Sequence, residues 1–229
     1  MREALRFAFF KTIPVLLGYL FLGIAFGVVL QRNGYGAPWA LLASTVVYAG
    51  SGQFVMADLL AAGAGLLTVA VTTLLVNSRH IFYGLTFVER FRGMPGRWYM
   101  IFSLTDETYS LLCALRVPDG IDENRAMLLI ALLDQSYWVL GGCIGALLGQ
   151  ALPVDLTGID FAMTALFTVI LVEQVRVAGQ RLPALIGGVS ALVMLLLLGP
   201  EAFLLPSLLV TVTLLVCGRG LLVRKGAAA

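Results

Sequence analysis

Long runs of apolar residues, separated by short stretches rich in glycine, proline and charge, organise this chain from end to end. The runs predict spans near 12–30, 39–63, 64–88, 100–117, 126–149, 160–178, 183–198 and 202–217. Several reach the roughly 17 to 25 residues that a helix rising 1.5 Å per residue needs to cross about 30 Å of hydrocarbon. In lipid, backbone amides must be paired within their own helix or in a closed barrel, and these runs are continuous rather than alternating in polarity. The expectation is an all-α fold: a polytopic transmembrane helical bundle of seven to eight spans, one membrane domain over 1–229 with no soluble domain. The turn chemistry of residues 31–38 and 118–124 makes those boundaries the firmest.

Two early spans carry polar residues at membrane depth: Ser51-Gly52-Gln53 within 39–63, and Asn77-Ser78-Arg79-His80 within 64–88. Interrupted helices are tolerated there when the irregular backbone lines an enclosed cavity, and paired interruptions point to a transporter binding site. Basic residues favour a cytoplasmic N-terminus with eight spans, except that Arg90, Arg92 and Arg97 then fall on the wrong side. The opening segment, from Met1-Arg2-Glu3, runs into an apolar stretch too long for a signal peptide and reads as a retained first span.

Composition agrees, with 60% apolar and 12% charged residues and a mean hydropathy of +0.96. A soluble core could not absorb that much apolar surface. The net charge of +2 is small and spread over segment ends, which argues against nucleic acid as a partner. Cys113, Cys143 and Cys217 are odd in number and lack metal-ligand spacing, so neither a disulfide framework nor a metal site is expected. Nothing in the sequence calls for a cofactor, and no Walker lysine motif is present.

Ionisable groups within spans are functional hypotheses by default, because a charge at the bilayer centre costs roughly 2.5 to 3.5 kcal/mol on insertion scales. Ser103, Asp106, Glu107 and Ser110 stand at i, i+3, i+4 and i+7, one polar stripe if the span is a single helix. Against this stands simple pairing of an acid with an arginine near a membrane end. Asp134 shares a face with Gly141, Gly145 and Gly149, where small residues let helices approach closely; it is a proton site or a buried interhelical hydrogen bond. Arg79 presents a planar fork suited to a carboxylate, and His80, the chain's one histidine, changes charge near neutral pH. Either residue has an ordinary alternative at an interface or in packing. Gly50-Ser51-Gly52-Gln53 should leave amides free at the start of a half-helix, where the dipole favours an anion; a plain glycine kink is the alternative. Asp106-Glu107-Thr108-Tyr109 is echoed by Asp134-Gln135-Ser136-Tyr137, which would set an acid and a phenol on adjacent helices. Ser51 with His80 raises an intramembrane serine protease as a rival, weakened by Ala49 two residues before the serine.

Tyr48-Ala49-Gly50-Ser51-Gly52-Gln53-Phe54, Asn77-Ser78-Arg79-His80-Ile81-Phe82-Tyr83-Gly84 and Leu104-Thr105-Asp106-Glu107-Thr108, in this order, resemble the motifs of AzlC-type branched-chain amino acid exporters. The resemblance implies a non-enzymatic secondary transporter of a bacterial inner membrane that moves valine, leucine, isoleucine and often methionine outward. It also implies a small AzlD-type membrane subunit as partner. The residue reading adds a site: Arg79 and the Gly52 to Phe54 amides take the substrate carboxylate and Asp106 or Glu107 its ammonium, with Gly50, Ser51, Gln53, Asn77 and Tyr83 among the substrate-binding residues. His80 and Asp134 are the proton-coupling candidates, and an ion gradient is the expected energy source. A passive amino acid channel is the remaining rival. The G-x-x-x-G spacing of Gly23 and Gly27, and the Gly141, Gly145, Gly149 series, offer faces for another subunit.

Overall fold

The computed structural model describes residues 2–77, 79–151, 168, 172, 175, 181–199 and 203–218, with only the backbone at 79, 81, 82, 85, 181, 204, 205 and 208. Among the described residues all regular structure is helical. Residues Met1–Asp155 and Leu156–Ala229 form two compact units.

In the first unit, α1 (Arg2–Arg32) and α8 (Glu123–Ala151) are the two helices long and apolar enough to cross a membrane. Glu3 in the first turn of α1 and Arg32 in its last complement the helix dipole. Thr12, Val15, Tyr19, Phe26 and Leu30 are among the residues forming its buried stripe, while Leu17 and Phe21 point outward at 68% and 65% exposure. Such outward leucine and phenylalanine are what a lipid-facing surface requires. The stripe of α8 through Ile130, Asp134, Trp138, Gly141 and Gly145 packs against it.

Glycine sets how closely these helices meet. A methyl on Gly23 would stand 3.0 Å from the Trp138 carbonyl oxygen and 3.1 Å from Gly141 Cα. One on Gly27 would fall onto the Gly142 carbonyl oxygen, and one on Gly145 onto that of Ile24. Both glycine series are therefore spent on each other within the chain. This corrects the expectation that they are spare faces for another subunit.

The other helices of this unit are short: α2 (Ala37–Val46), α3 (Ser51–Ala61), α4 (Leu66–Asn77), α5 (Arg79–Phe87), α6 (Arg97–Phe102) and α7 (Asp106–Cys113). An interruption near Ser51-Gly52-Gln53 was expected, although it lies at residues 47–50 and those three residues open α3; the one expected within 77–80 falls on Ser78, outside the described residues. A break at 103–105 was not expected. The predicted 100–117 span stops at Phe102 and restarts at Asp106, because Thr105 caps α7 by accepting the Thr108 amide and two acids fill its first turn. Phe87, Phe91, Met100, Leu112, Met127 and Ile130 pack together in one buried apolar cluster. Arg90 joins it by donating to the Leu112 carbonyl at 3.0 Å and pairing with Glu123.

In the second unit, α9 (Arg181–Leu198) packs against α10 (Leu204–Cys217). Thr168, Val172 and Val175 are helical; the remainder of the expected 160–178 span, with Arg176, lies outside the described residues, as do Arg219, Arg224 and Lys225.

Candidate functional site

The interruptions at 47–50 and 103–105 face α1 and α8 through Tyr48, Thr105 and Thr108, and α5 joins them where Tyr83 meets Asp106. The break between α6 and α7 is held by a line of side-chain oxygens. Thr108 donates to Asp134 Oδ2 at 2.9 Å, and Thr105 donates to Thr108 at 3.1 Å. The Thr105 hydroxyl lies 2.6 Å from the phenol oxygen of Tyr19, which donates to Glu107 Oε2 at 2.7 Å. Asp134 is fully buried, and its Oδ1 has no hydrogen-bond partner among the described residues. The two acidic echo motifs do meet, through Thr108 and Asp134. Their phenols turn elsewhere, Tyr109 stacking on Tyr83 with centroids 4.4 Å apart and Tyr137 bonding Thr12 at 3.0 Å.

Because α7 begins at Asp106, the expected polar stripe does not exist as one helical face. Ser103 sits in the break and donates to the Met100 carbonyl at 3.3 Å. Asp106 faces α5, accepting from the Tyr83 phenol at 2.6 Å, whereas Glu107 faces α1. Both acids open a helix whose dipole favours negative charge there. His80, in the first turn of α5, lies 5.7 Å from the Tyr83 ring. Ser78 and the side chain of Arg79 lie outside the described residues, so the structure places Arg79 only by its backbone at the start of α5.

The break between α2 and α3 turns on two residues with left-handed φ, Tyr48 at +38° and Gly50 at +50°. Among the described residues Tyr48 is the one non-glycine of this kind. A bulky residue held there costs about 1–3 kcal/mol and persists when its surroundings over-determine it. Tyr48 is 2% exposed, packs on Phe102 at 6.2 Å, and faces Asp134, Thr108 and Glu107. Its hydroxyl nevertheless has no well-formed hydrogen bond among the described residues.

Gln53 ties α3 to α8: its Oε1 accepts from Trp138 Nε1 at 2.8 Å and from the Ala49 amide at 3.2 Å. Its Nε2 is buried without a partner among the described residues, as is Asn77 Oδ1. Asn77, at the end of α4, packs against the start of α3, since a methyl on Gly52 would come within 2.6 Å of Asn77 Oδ1. The free amides expected here are a correction. Gly52 N bonds the Ala49 carbonyl and Gln53 N the Gly50 carbonyl, each at 2.9 Å, so side chains rather than those amides are the open groups.

The structure thus brings together Gln53, Asn77, Tyr83, Asp106, Glu107 and Asp134 with the backbone of Gly50 and Gly52. The sequence reading missed Tyr19, Tyr48, Thr105 and Thr108. For Thr105 a signal was present: a threonine followed by two acids is a helix start. Gln135 belongs to the same group, accepting from the Tyr99 phenol at 2.7 Å and donating to the Thr45 carbonyl at 3.1 Å. Among the described residues no group of three or more histidine, cysteine or acidic side chains is placed to hold a metal.

Buried groups left without partners are costly, about 1–3 kcal/mol each. Here the open atoms comprise donors, Gln53 Nε2 and the Tyr48 hydroxyl, and acceptors, Asn77 Oδ1 and Asp134 Oδ1. A ligand bearing both a cationic and an anionic group would satisfy such a set.

The profile of the AzlC protein family matches residues 14–152. The chain is 37% identical over 207 residues to the branched-chain amino acid transport protein AzlC of Bacillus subtilis, covering 90% of this chain and 82% of that one. It is 38% identical to an uncharacterised membrane protein of Haemophilus influenzae, over 90% of this chain and 86% of that one. Against the inner membrane protein YgaZ of Escherichia coli the identity is 32%, over 68% of this chain and 67% of that one. No solved structure matches the chain. The matched residues contain α8 and the interruptions at 47–50 and 103–105, and on these grounds the chain belongs to the AzlC family.

Proposed function

We propose that this chain is the large subunit of a secondary transporter that exports branched-chain amino acids, namely valine, leucine, isoleucine and also methionine, across a bacterial inner membrane. The observation that carries the reading is the convergence of two helix breaks, at 47–50 and 103–105, on buried donors and acceptors that have no partner among the described residues. Broken helices around a polar centre are a recurring arrangement in secondary transporters. The name of the Bacillus relative supports the cargo.

In this reading α1 and α8 each cross the bilayer. The pairs α2 with α3 and α4 with α5 each cross as two half-helices, since 10, 11, 12 and 9 residues are too few singly. The second unit completes seven to eight spans. Arg79, Gln53, Asn77 and the Gly50–Gly52 turn with Ser51 receive the carboxylate. Asp106, oriented by Tyr83, or Glu107 receives the ammonium. An apolar wall distinguishes cargo by only about 1–3 kcal/mol per methylene, so overlap among branched-chain residues and methionine follows. An ion gradient drives export, with Asp134 and His80 as proton-coupling groups, and a small AzlD-type membrane subunit completes the transporter.

The test is uptake of a panel of labelled amino acids into inverted vesicles containing the chain and that subunit, with and without a proton gradient. Saturable, gradient-driven accumulation of branched-chain amino acids is expected. Equilibration without accumulation would establish a passive channel instead.

A further inference from the structure

Of the three acids at the site, Asp134 is the one in the middle of a helix. Asp106 and Glu107 open α7, where the dipole favours their charge, and each accepts from a phenol, Tyr83 for Asp106 and Tyr19 for Glu107. Asp134 lies within the unbroken α8 and is fully buried. Its Oδ2 accepts from Thr108 at 2.9 Å, and its Oδ1 has no partner among the described residues. The titratable groups facing it are Tyr48 from the 47–50 break, Tyr99 from α6 and Glu107 from α7. Along the same stretch of α8, α1, α2 and α3 present Tyr19, Ser44 and Gln53, none of them charged at neutral pH. Among the described residues no cation pairs with Asp134.

A buried charge with no counter-charge is neutralised. Two agents can do this at Oδ1: a proton, or the ammonium group of a zwitterionic cargo. One carboxylate has one negative charge, so the two are alternatives.

We propose that cargo ammonium and a proton take turns on Asp134 Oδ1, so that one amino acid leaves in exchange for each proton that enters. This rests on the transport reading above and gives its ion coupling a mechanism. An ammonium has three N–H donors, so it holds Oδ1 and the α7 acid at once, and Asp106 or Glu107 keeps its role. When cargo binds, the Asp134 O–H bond breaks, the proton passes to water on the side to which the site is open, and the carboxylate left behind pairs with the ammonium. No covalent bond to the cargo forms. When cargo leaves, a proton from the other side restores the O–H bond. The Tyr48 hydroxyl, which faces this carboxylate and has no well-formed bond among the described residues, accepts from either occupant. A zwitterion has no net charge, so each turn moves one positive charge inward as one amino acid moves outward.

The test is equilibrium binding of labelled leucine to the full-length chain, purified in lipid with the small subunit, across the mildly acid range. There the cargo keeps both of its charges. Displacement of one proton weakens wild-type binding by about tenfold for each pH unit lost, until binding becomes constant on the alkaline side. Asp134→Asn, which keeps an acceptor for Thr108, should bind more weakly and without this slope. Glu107→Gln and His80→Gln should keep the slope, whatever their affinity. Wild-type binding that ignores pH, a slope that survives in Asp134→Asn, or one that vanishes in His80→Gln or Glu107→Gln overturns the exchange at Asp134.

The wild type alone decides the matter if Asp134→Asn does not fold. In weakly buffered medium at the acid end of the range, binding should release about one proton per leucine bound, read with an indicator dye. Binding without release overturns the exchange and leaves the transport reading standing. No binding of any branched-chain amino acid at any pH overturns both.

Discussion

Replacing Gly27 by alanine should separate α1 from α8, and Gly18→Ala on the same helix provides the contrast. At Gly27 the new methyl would lie 2.6 Å from the Ala146 amide nitrogen and onto the Gly142 carbonyl oxygen. Ordinary contact is about 3.5–4.0 Å, so the helices must part by on the order of 1 Å. Neither obstacle is the end of a flexible side chain, and Gly23, Gly141 and Gly145 depend on the same spacing. Overpacking of this kind costs about 1–3 kcal/mol. Around Gly18 nothing lies within 4 Å, and there alanine should gain about 0.5–1 kcal/mol from helix propensity. The two variants should therefore differ by about 1.5–4 kcal/mol, which reversible unfolding of the purified chain in mixed micelles, followed by tryptophan fluorescence, would measure. Equal stability of Gly27→Ala and Gly18→Ala would refute the close backbone contact.

Three further substitutions probe the site. Tyr48→Phe removes a buried hydroxyl that has no well-formed partner, so the substrate-free protein should be as stable as wild type or more so. Stabilisation by added amino acid should weaken by about 0.5–1.5 kcal/mol, read by thermal shift with and without substrate, and an unchanged response would take Tyr48 out of the site. Gln53→Leu strands the Trp138 indole N–H and the Ala49 amide, and should lower unfolding stability by about 1–3 kcal/mol for each; wild-type stability would show that neither bond matters. Tyr83→Phe keeps the stack on Tyr109 but takes the phenol from Asp106, so transport assays should show a raised KM with little change in melting temperature; a wild-type KM would separate Tyr83 from substrate binding.

Much of the fold was legible because the signals were local. The apolar runs located α1 and α8, and the polar residues near 51–53 announced a break within a few positions. The break at 103–105 escaped because Phe102, Leu104 and the apolar residues beyond preserve the look of one span, while the start signal at Thr105 was outweighed by hydropathy. That error created the false stripe containing Ser103. Tyr19 was invisible for a different reason, since a tyrosine in an apolar helix reads as packing until its partners 86 and 88 positions away are known. The same holds for Tyr48, whose strained backbone and burial against Asp134 and Thr108 are properties of position rather than of residue type. The glycine spacings were recognised, but spacing does not name the helix on the other side.

The contrast between continuous and divided helices has a mechanical consequence. Along the α1–α8 seam, sliding or rolling would drive carbonyl oxygens into opposing α-carbons, so this pair behaves as a fixed post. At residues 47–50 and 103–105 the regular helical ladder is already interrupted, and the short rods on either side can pivot without giving up further ladder bonds. Compliance is thereby confined to the joints that carry the polar groups, and a load applied to one of those rods is delivered to the centre of the molecule instead of being spread through its frame.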